Sequence, residues 1–252
     1  MLHATTSAIH AADFIERWYT HAVRVTVLEL PASYAEPTRV LAEIDARIAA
    51  GPATDLVVVP EAALHGYVSP EGNFDLASLA EPIDGPTATA CAALARRRGI
   101  HLVSSLVLRE GAALYNAMTC FDPRGDLAFV YRKRHPWRPE TWATPGPQRP
   151  PVIELAGTLV TIAICYDLHF IHHDAVPELL AADLLLFPSA WVEQIDTRAE
   201  HLAELAQRFD LHVANANWAR GVVEVAGQGG SCTITPAGVI TRAVNGRADA
   251  TV

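Results

Sequence analysis

Three times along the chain an apolar run stops at a residue able to do chemistry. Leu159–Ile164 carries no charge and leads into Cys165, with Tyr166, Asp167, Leu168 and His169 directly behind it. Asp55–Pro60 (DLVVVP) delivers Glu61, and Leu127–Tyr131 (LAFVY) delivers Arg132, Lys133 and Arg134. A short apolar run that gives way to polar and turn-forming residues predicts a buried strand whose carboxyl end opens onto a loop. Open α/β folds place their chemistry at such ends.

The remaining pattern fits the same class. Val23–Leu30 alternates and predicts the first strand, and Val40, Leu41, Ile44 and Ile48 fall at helical spacing within Pro37–Ala50, with Gly51 as a stop. A strand, a helix and a strand ending at Glu61 form a βαβ unit, which implies parallel strands. A second helix over Thr87–Arg98 ends at Gly99 after three arginines. The strands His101–Leu108, Leu114–Phe121 and Leu127–Tyr131 follow, separated by turns at Arg109–Ala112 and Asp122–Gly125. Such short connections make antiparallel pairs, so the sheet is mixed. Past the cysteine the pattern predicts a short helix at Glu178–Ala182, a strand at Asp183–Pro188, a helix at Arg198–Phe209, and strands at His212–Asn217 and Ser231–Thr235. Met1–Ala22 stands apart as an N-terminal extension with a weak helical stretch around Ala11–Tyr19. Residues 23–252 read as one domain.

Composition narrows the partners. The 252 residues are 50% hydrophobic and 19% charged, enough for one α/β core, and the net charge is −9. Basic residues cluster mainly at Arg96–Arg98 and Arg132–Arg134, which argues against nucleic acid or an anionic membrane as the main partner. Cys91, Cys120, Cys165 and Cys232 lie far apart without a CxxC pair, so neither a disulfide framework nor a zinc knuckle is indicated, and a reducing cytoplasm is expected. No run reaches the ~20 apolar residues of a membrane span, and Asp13 and Glu16 break the only signal-like stretch.

A thiol, a carboxylate and an ammonium are what thiol acyl transfer needs: a nucleophile, a proton acceptor that later donates, and a cation facing the developing oxyanion. Taken singly, a cysteine such as Cys165 is more often a small core residue than a catalyst, and a carboxylate such as Glu61 is usually a solvated surface group. Glu61 opens a turn-rich loop, AALHGYVSPEGNFD, on which Tyr67 fits a pocket wall or a packed aromatic equally well. Tyr131–Gly146 (YRKRHPWRPETWATPG) has three prolines, Trp137, Trp142, Glu140 and the basic triplet, and reads either as an active-site loop or as an irregular loop pinned by its tryptophans. Trp191 follows a strand end and is a reasonable pocket wall. His172, His173 and Asp174 are adjacent and have no further ligands at metal-site spacing, so no metal is expected. The phosphate-cradling glycine motifs are absent as well, and no cofactor is called for.

Taken together, DLVVVPEAALHGY, YRKRHPW and TIAICYDLHF resemble the three catalytic blocks of the nitrilase (carbon–nitrogen hydrolase) superfamily. LYNAMTCFDPRGDLAFVYRK and ADLLLFPSAW resemble its intervening landmarks, and the likeness runs from about Val23 to Ile240. The resemblance implies a four-layer α-β-β-α sandwich and a homodimer or larger assembly. It implies Cys165 as the nucleophile toward an amide or nitrile carbon, with Glu61 as base and then acid. Lys133 and the Tyr166 N–H would hold the oxyanion, and Glu140 would be a second glutamate that orients lysine and substrate. One departure bears on substrate. Relatives acting on ω-amides of keto acids carry arginine in CYDxRF where this chain has His169. Histidine lacks the bidentate fork that suits a carboxylate, which argues against an α-keto-acid substrate.

Overall fold

The computed structural model describes residues 22–252. The helical stretch expected around Ala11–Tyr19 lies outside the described residues. In the first sheet the period of two decides which way each side chain points. On β3 (Leu56–Val58) and the residue after it, Leu56 and Val58 face the molecular centre while Val57 and Val59 face outward under helices. Those helices are α1 (Pro37–Ala50) and α2 (Pro86–Arg98). Val40, Leu41, Ile44 and Ile48 of α1 and Cys91, Leu94 and Ala95 of α2 supply the apolar stripe that covers this face.

The first sheet orders as β13 (Arg247–Thr251), β1 (Arg24–Leu28), β3, β4 (His101–Glu110), β5 (Ala113–Phe121) and β6 (Leu127–Arg132). β1, β3 and β4 are parallel, while β4–β5 and β5–β6 are the antiparallel hairpins that the turns predict. A second sheet runs β12 (Ile240–Arg242), β11 (Cys232–Ile234), β10 (His212–Ala219), β9 (Leu184–Ser189), β8 (Thr158–Ile162) and β7 (Ile153–Leu155). The two sheets pack face to face, Val25, Val58, Val103 and Met118 of the first sharing one core with Ile162, Leu186 and Ala214 of the second. α5 (Arg198–Phe209) inserts Leu202, Leu205 and Phe209 into the same cluster, so helices also cover the second sheet. The layers are α-β-β-α, and the fold is mixed α/β.

Several expected elements differ in extent. Val23–Leu30 is not one strand: β1 ends at Leu28, and β2 (Leu30–Pro31) pairs with β10 in the other sheet. The single short helix expected at Glu178–Ala182 is two, α3 (Leu168–Asp174) and α4 (Val176–Ala181). Leu168, Ile171, Ala175 and Leu179 recur at helical spacing toward the core, a stripe hidden in the sequence by the polar run HFIHHD. His172, His173 and Asp174 accordingly sit on a helix, and among the described residues no cluster of three or more His, Cys, Asp or Glu is disposed to hold a metal. The residues after Ile240 form β12 and β13. β13 returns to the first sheet and pairs antiparallel with β1, Val27 opposite Ala248. No helix among the described residues is long and apolar enough to cross a membrane.

Candidate active site

The three strand ends converge. Glu61 follows β3 at a sharp turn: Ala62 has φ +52°, and its carbonyl accepts the Gly66 N–H at 2.7 Å. Gly66 has φ +88°, and a Cβ there would lie 2.3 Å from the Ser33 carbonyl oxygen, so only glycine lets the loop turn and bring Tyr67 back over the strand ends. Lys133 follows β6, its N–H bonded to the Asn116 carbonyl at 2.8 Å. The loop it opens folds back until the Gly146 N–H meets the Lys133 carbonyl at 2.8 Å, where a Cβ would stand 2.2 Å from the Arg132 carbonyl oxygen. That return buries Glu140 beside Lys133.

Glu61, Lys133 and Glu140 are 0–2% exposed and joined directly. Lys133 Nζ donates to Glu61 Oε1 at 2.6 Å and to Glu140 Oε1 at 2.7 Å. Glu61 Oε2 accepts the Ala190 N–H at 2.9 Å, and Tyr67 Oη donates to Glu140 Oε1 at 2.6 Å. Burial by itself would lower the Lys133 ammonium, but the Glu140 and Glu61 carboxylates reverse this and hold its pKa above the ordinary lysine range. Burial pushes Glu140 upward against the pull of Lys133. An ammonium has three protons, and two are engaged by carboxylates.

Cys165 is 6% exposed and sits in a 3-10 turn, Cys165–Asp167, with φ +45°. A non-glycine residue in the left-handed region is strained and persists only where its surroundings hold it. Asp167 does the holding: Oδ2 accepts the Ile164 N–H at 3.0 Å and Tyr131 Oη at 2.9 Å, and Oδ1 accepts the His135 N–H at 2.9 Å. One carboxylate thus ties the cysteine turn of the second sheet to the lysine strand of the first. Burial pushes the Cys165 thiol well above the ordinary range, the Glu61 charge adds to this, and Lys133 and the Ala190 N–H only partly offset it. Both effects favour the neutral thiol over the thiolate, so a neighbouring base would assist attack.

A cavity of about 100 Å³ opens over Cys165, lined by Tyr67, Trp137, Tyr166, His169, Trp191 and Glu193, with Ala190 and Val192 completing it. Tyr67 packs edge-on against Phe74 and Trp218 and stacks on Trp137 at 6.4 Å, so it is both a pocket wall and a packed aromatic. His169 is exposed at the rim, its ring stacked on Trp191 at 5.9 Å.

Two asparagines went unmarked in the sequence reading. Asn116 Nδ2 donates to Glu61 Oε1 at 2.7 Å and to Glu140 Oε2 at 3.3 Å, bracing both carboxylates. Asn217 Oδ1 accepts the Trp191 N–H and Ser189 Oγ, each at 3.0 Å, while its Nδ2 donates to the carbonyls of Gly227 and Gly229. The available signal was primary amides inside mostly apolar strands, one in LYNAMTCF and two in HVANANWA, where an unpaired amide would be costly.

Two buried carboxylates bridged by one ammonium lie beside a strained thiol turn, a set of groups chemically able to support thiol acyl transfer. The carbon-nitrogen hydrolase family model matches residues 10–252, and the chain belongs to that family. It is 30% identical over 213 residues to an omega-amidase of Danio rerio, covering 77% of this chain and 74% of that one. It is 34% identical over 149 residues to a formamidase of Allorhizobium ampelinum, covering 58% of this chain but only 43% of the relative, so it spans less than half of that protein's length. An amidase of the nitrilase superfamily from Nesterenkonia has the same fold, with a TM-score of 0.78, 24% identity, and 91% and 90% of the two chains covered.

Proposed function

We propose that this chain hydrolyses a small linear carboxamide to the carboxylic acid and ammonia through a thioester on Cys165. The observation that carries the reading is the buried Glu61–Lys133–Glu140 cluster beside the cysteine turn, under a cavity with room for only a small acyl group. Glu61 takes the thiol proton as Sγ attacks the carbonyl carbon. The free proton of Lys133 and the N–H of Tyr166 face the oxygen on which charge develops. Glu61 returns the proton to the amide nitrogen as the C–N bond breaks and ammonia leaves, then draws a proton from the water that attacks the thioester and passes it to Sγ as the C–S bond breaks, releasing the acid and restoring the thiol. Glu140, held by Tyr67 and Asn116, fixes the position and charge of Lys133.

The test is a panel of linear amides, ureido compounds and nitriles, with ammonia and carbon dioxide measured and intact mass followed after rapid acid quench. Ammonia alone from amides, with a transient acyl adduct on the Cys165 peptide and no turnover by Cys165→Ala, is the expected result. Carbon dioxide alongside ammonia would identify an N-carbamoyl hydrolase, and loss of nitrile a nitrilase. Full turnover by Cys165→Ala would refute the thioester route. Thiol labelling that is slow and unselective, with no turnover, would refute catalysis in favour of a small-molecule-binding role.

A further inference from the structure

Charge is unevenly distributed around the cavity. Its walls are aromatic or aliphatic side chains, and its one carboxylate is Glu193, exposed at the mouth. Among the described residues no arginine, lysine or histidine forms an ion pair with Glu193, whose neighbours on the same segment, Asp196 and Arg198, pair with each other at 3.1 Å. Arg198 is fully buried behind the Trp191 ring, 5.6 Å from its centroid, with its guanidinium donating to Gly229, so it offers nothing to the cavity. Outside the lining, the buried Lys133 is already paired with both Glu61 and Glu140. His169 at the rim is the single basic side chain that lines the space. The cavity thus combines the aromatic side chains of Trp137, Tyr166 and Trp191 with one carboxylate that no basic side chain among the described residues pairs.

Resting on the amidase reading above, we propose that the substrate is a short aliphatic carboxamide whose far end carries a primary ammonium, and that Glu193 is the specificity-determining residue that receives it. The aromatic walls cover the methylenes, while Glu193 attracts the cation and repels a carboxylate of the same length, so one residue both selects and excludes. An exposed pair of this kind is modest and screened by salt, so the preference expected is about fivefold.

The experiment compares kcat/KM for 4-aminobutanamide and 5-aminopentanamide with the isosteres in which methyl replaces the ammonium, pentanamide and hexanamide, and with the anionic succinamate. The expected result is a ratio of about five in favour of the amine for at least one chain length, succinamate poorest, the ratio shrinking in high salt and falling to within about 1.5-fold of unity in Glu193→Gln. Equal or better turnover of the neutral isosteres overturns the inference and leaves the amidase reading standing. An amine preference that survives Glu193→Gln overturns the role of Glu193. Failure of the wild-type enzyme to hydrolyse any of the five overturns the amidase reading itself.

Discussion

Asp167→Asn tests the clamp between nucleophile and lysine. Asp167 is 3% exposed and faces three donors from three segments, the N–H groups of Ile164 and His135 and the hydroxyl of Tyr131. Burial raises its pKa, while the Ile164 N–H, Lys133, Tyr131 and the His135 N–H draw it back. Two of these donors are backbone N–H groups that can do nothing but donate, which favours the ionised acceptor. An asparagine has the same shape but one acceptor oxygen and an NH2 group. If the oxygen takes the Oδ2 position, the NH2 faces His135 N–H; if flipped, it faces Ile164 N–H. Either way one buried backbone N–H loses its acceptor, at roughly 1–3 kcal/mol, offset in part because a neutral amide is easier to bury than a carboxylate. A net loss of about 2 kcal/mol corresponds to roughly 4–8 °C in Tm for a domain of this size. The functional loss should be larger. Freed at Ile164 or His135, the strained Cys165 turn and Lys133 no longer share one anchor, and a displacement of about 1 Å at reacting atoms costs on the order of a hundredfold in rate. Thermal unfolding, and the rate of Cys165 alkylation by iodoacetamide relative to the other cysteines, measure the two effects. A variant that melts within about 1 °C of wild type and alkylates at the same rate would show that Asp167 is protonated and that the clamp argument is wrong.

Two further substitutions probe the charges. In Glu61→Gln the negative charge that helps hold the Cys165 thiol high is gone, so its pKa should fall even as turnover drops by roughly 10²–10⁴-fold through loss of the base. Ultraviolet thiolate absorbance should be flat in wild type between about pH 5 and 9, because burial also pushes Cys91 up to about 12 and Cys232 to about 11; an onset in the variant no lower than in wild type would contradict the assignment. Lys133→Ala leaves Glu140 buried against Glu61 without a cation, and breaking such a pair costs roughly 3–5 kcal/mol. Its sign with pH follows from the carboxyl's raised pKa: stability is present below the unfolded value and lost as pH rises through the folded one, so the Tm deficit should be smaller at about pH 5 than at pH 8. A deficit that does not change with pH would place the carboxylates in water.

The sequence by itself determined the elements and the chemistry at their ends. The apolar runs before Glu61, Lys133 and Cys165 are strands, or run into a turn at the strand end, because buried strands tolerate no charge and polar residues collect where the ladder stops. The helical stripe of Val40, Leu41, Ile44 and Ile48 marks α1 to the residue. Alternation and turn chemistry are local, so the sequence carries them openly. It could not determine what those ends meet. Glu61 and Lys133 lie on one sheet and Cys165 on the other, and their approach depends on how two twisted sheets pack face to face. Asn116 and Asp167 gained their roles only from that packing, since a buried amide or carboxylate is read through its partners, and these are 24 to 55 residues away for Asn116 and up to 36 for Asp167. The exchange of β2 into the second sheet and the return of β13 to the first were equally hidden, because strands this short take their pairing from the sheet edges that tertiary packing brings to them.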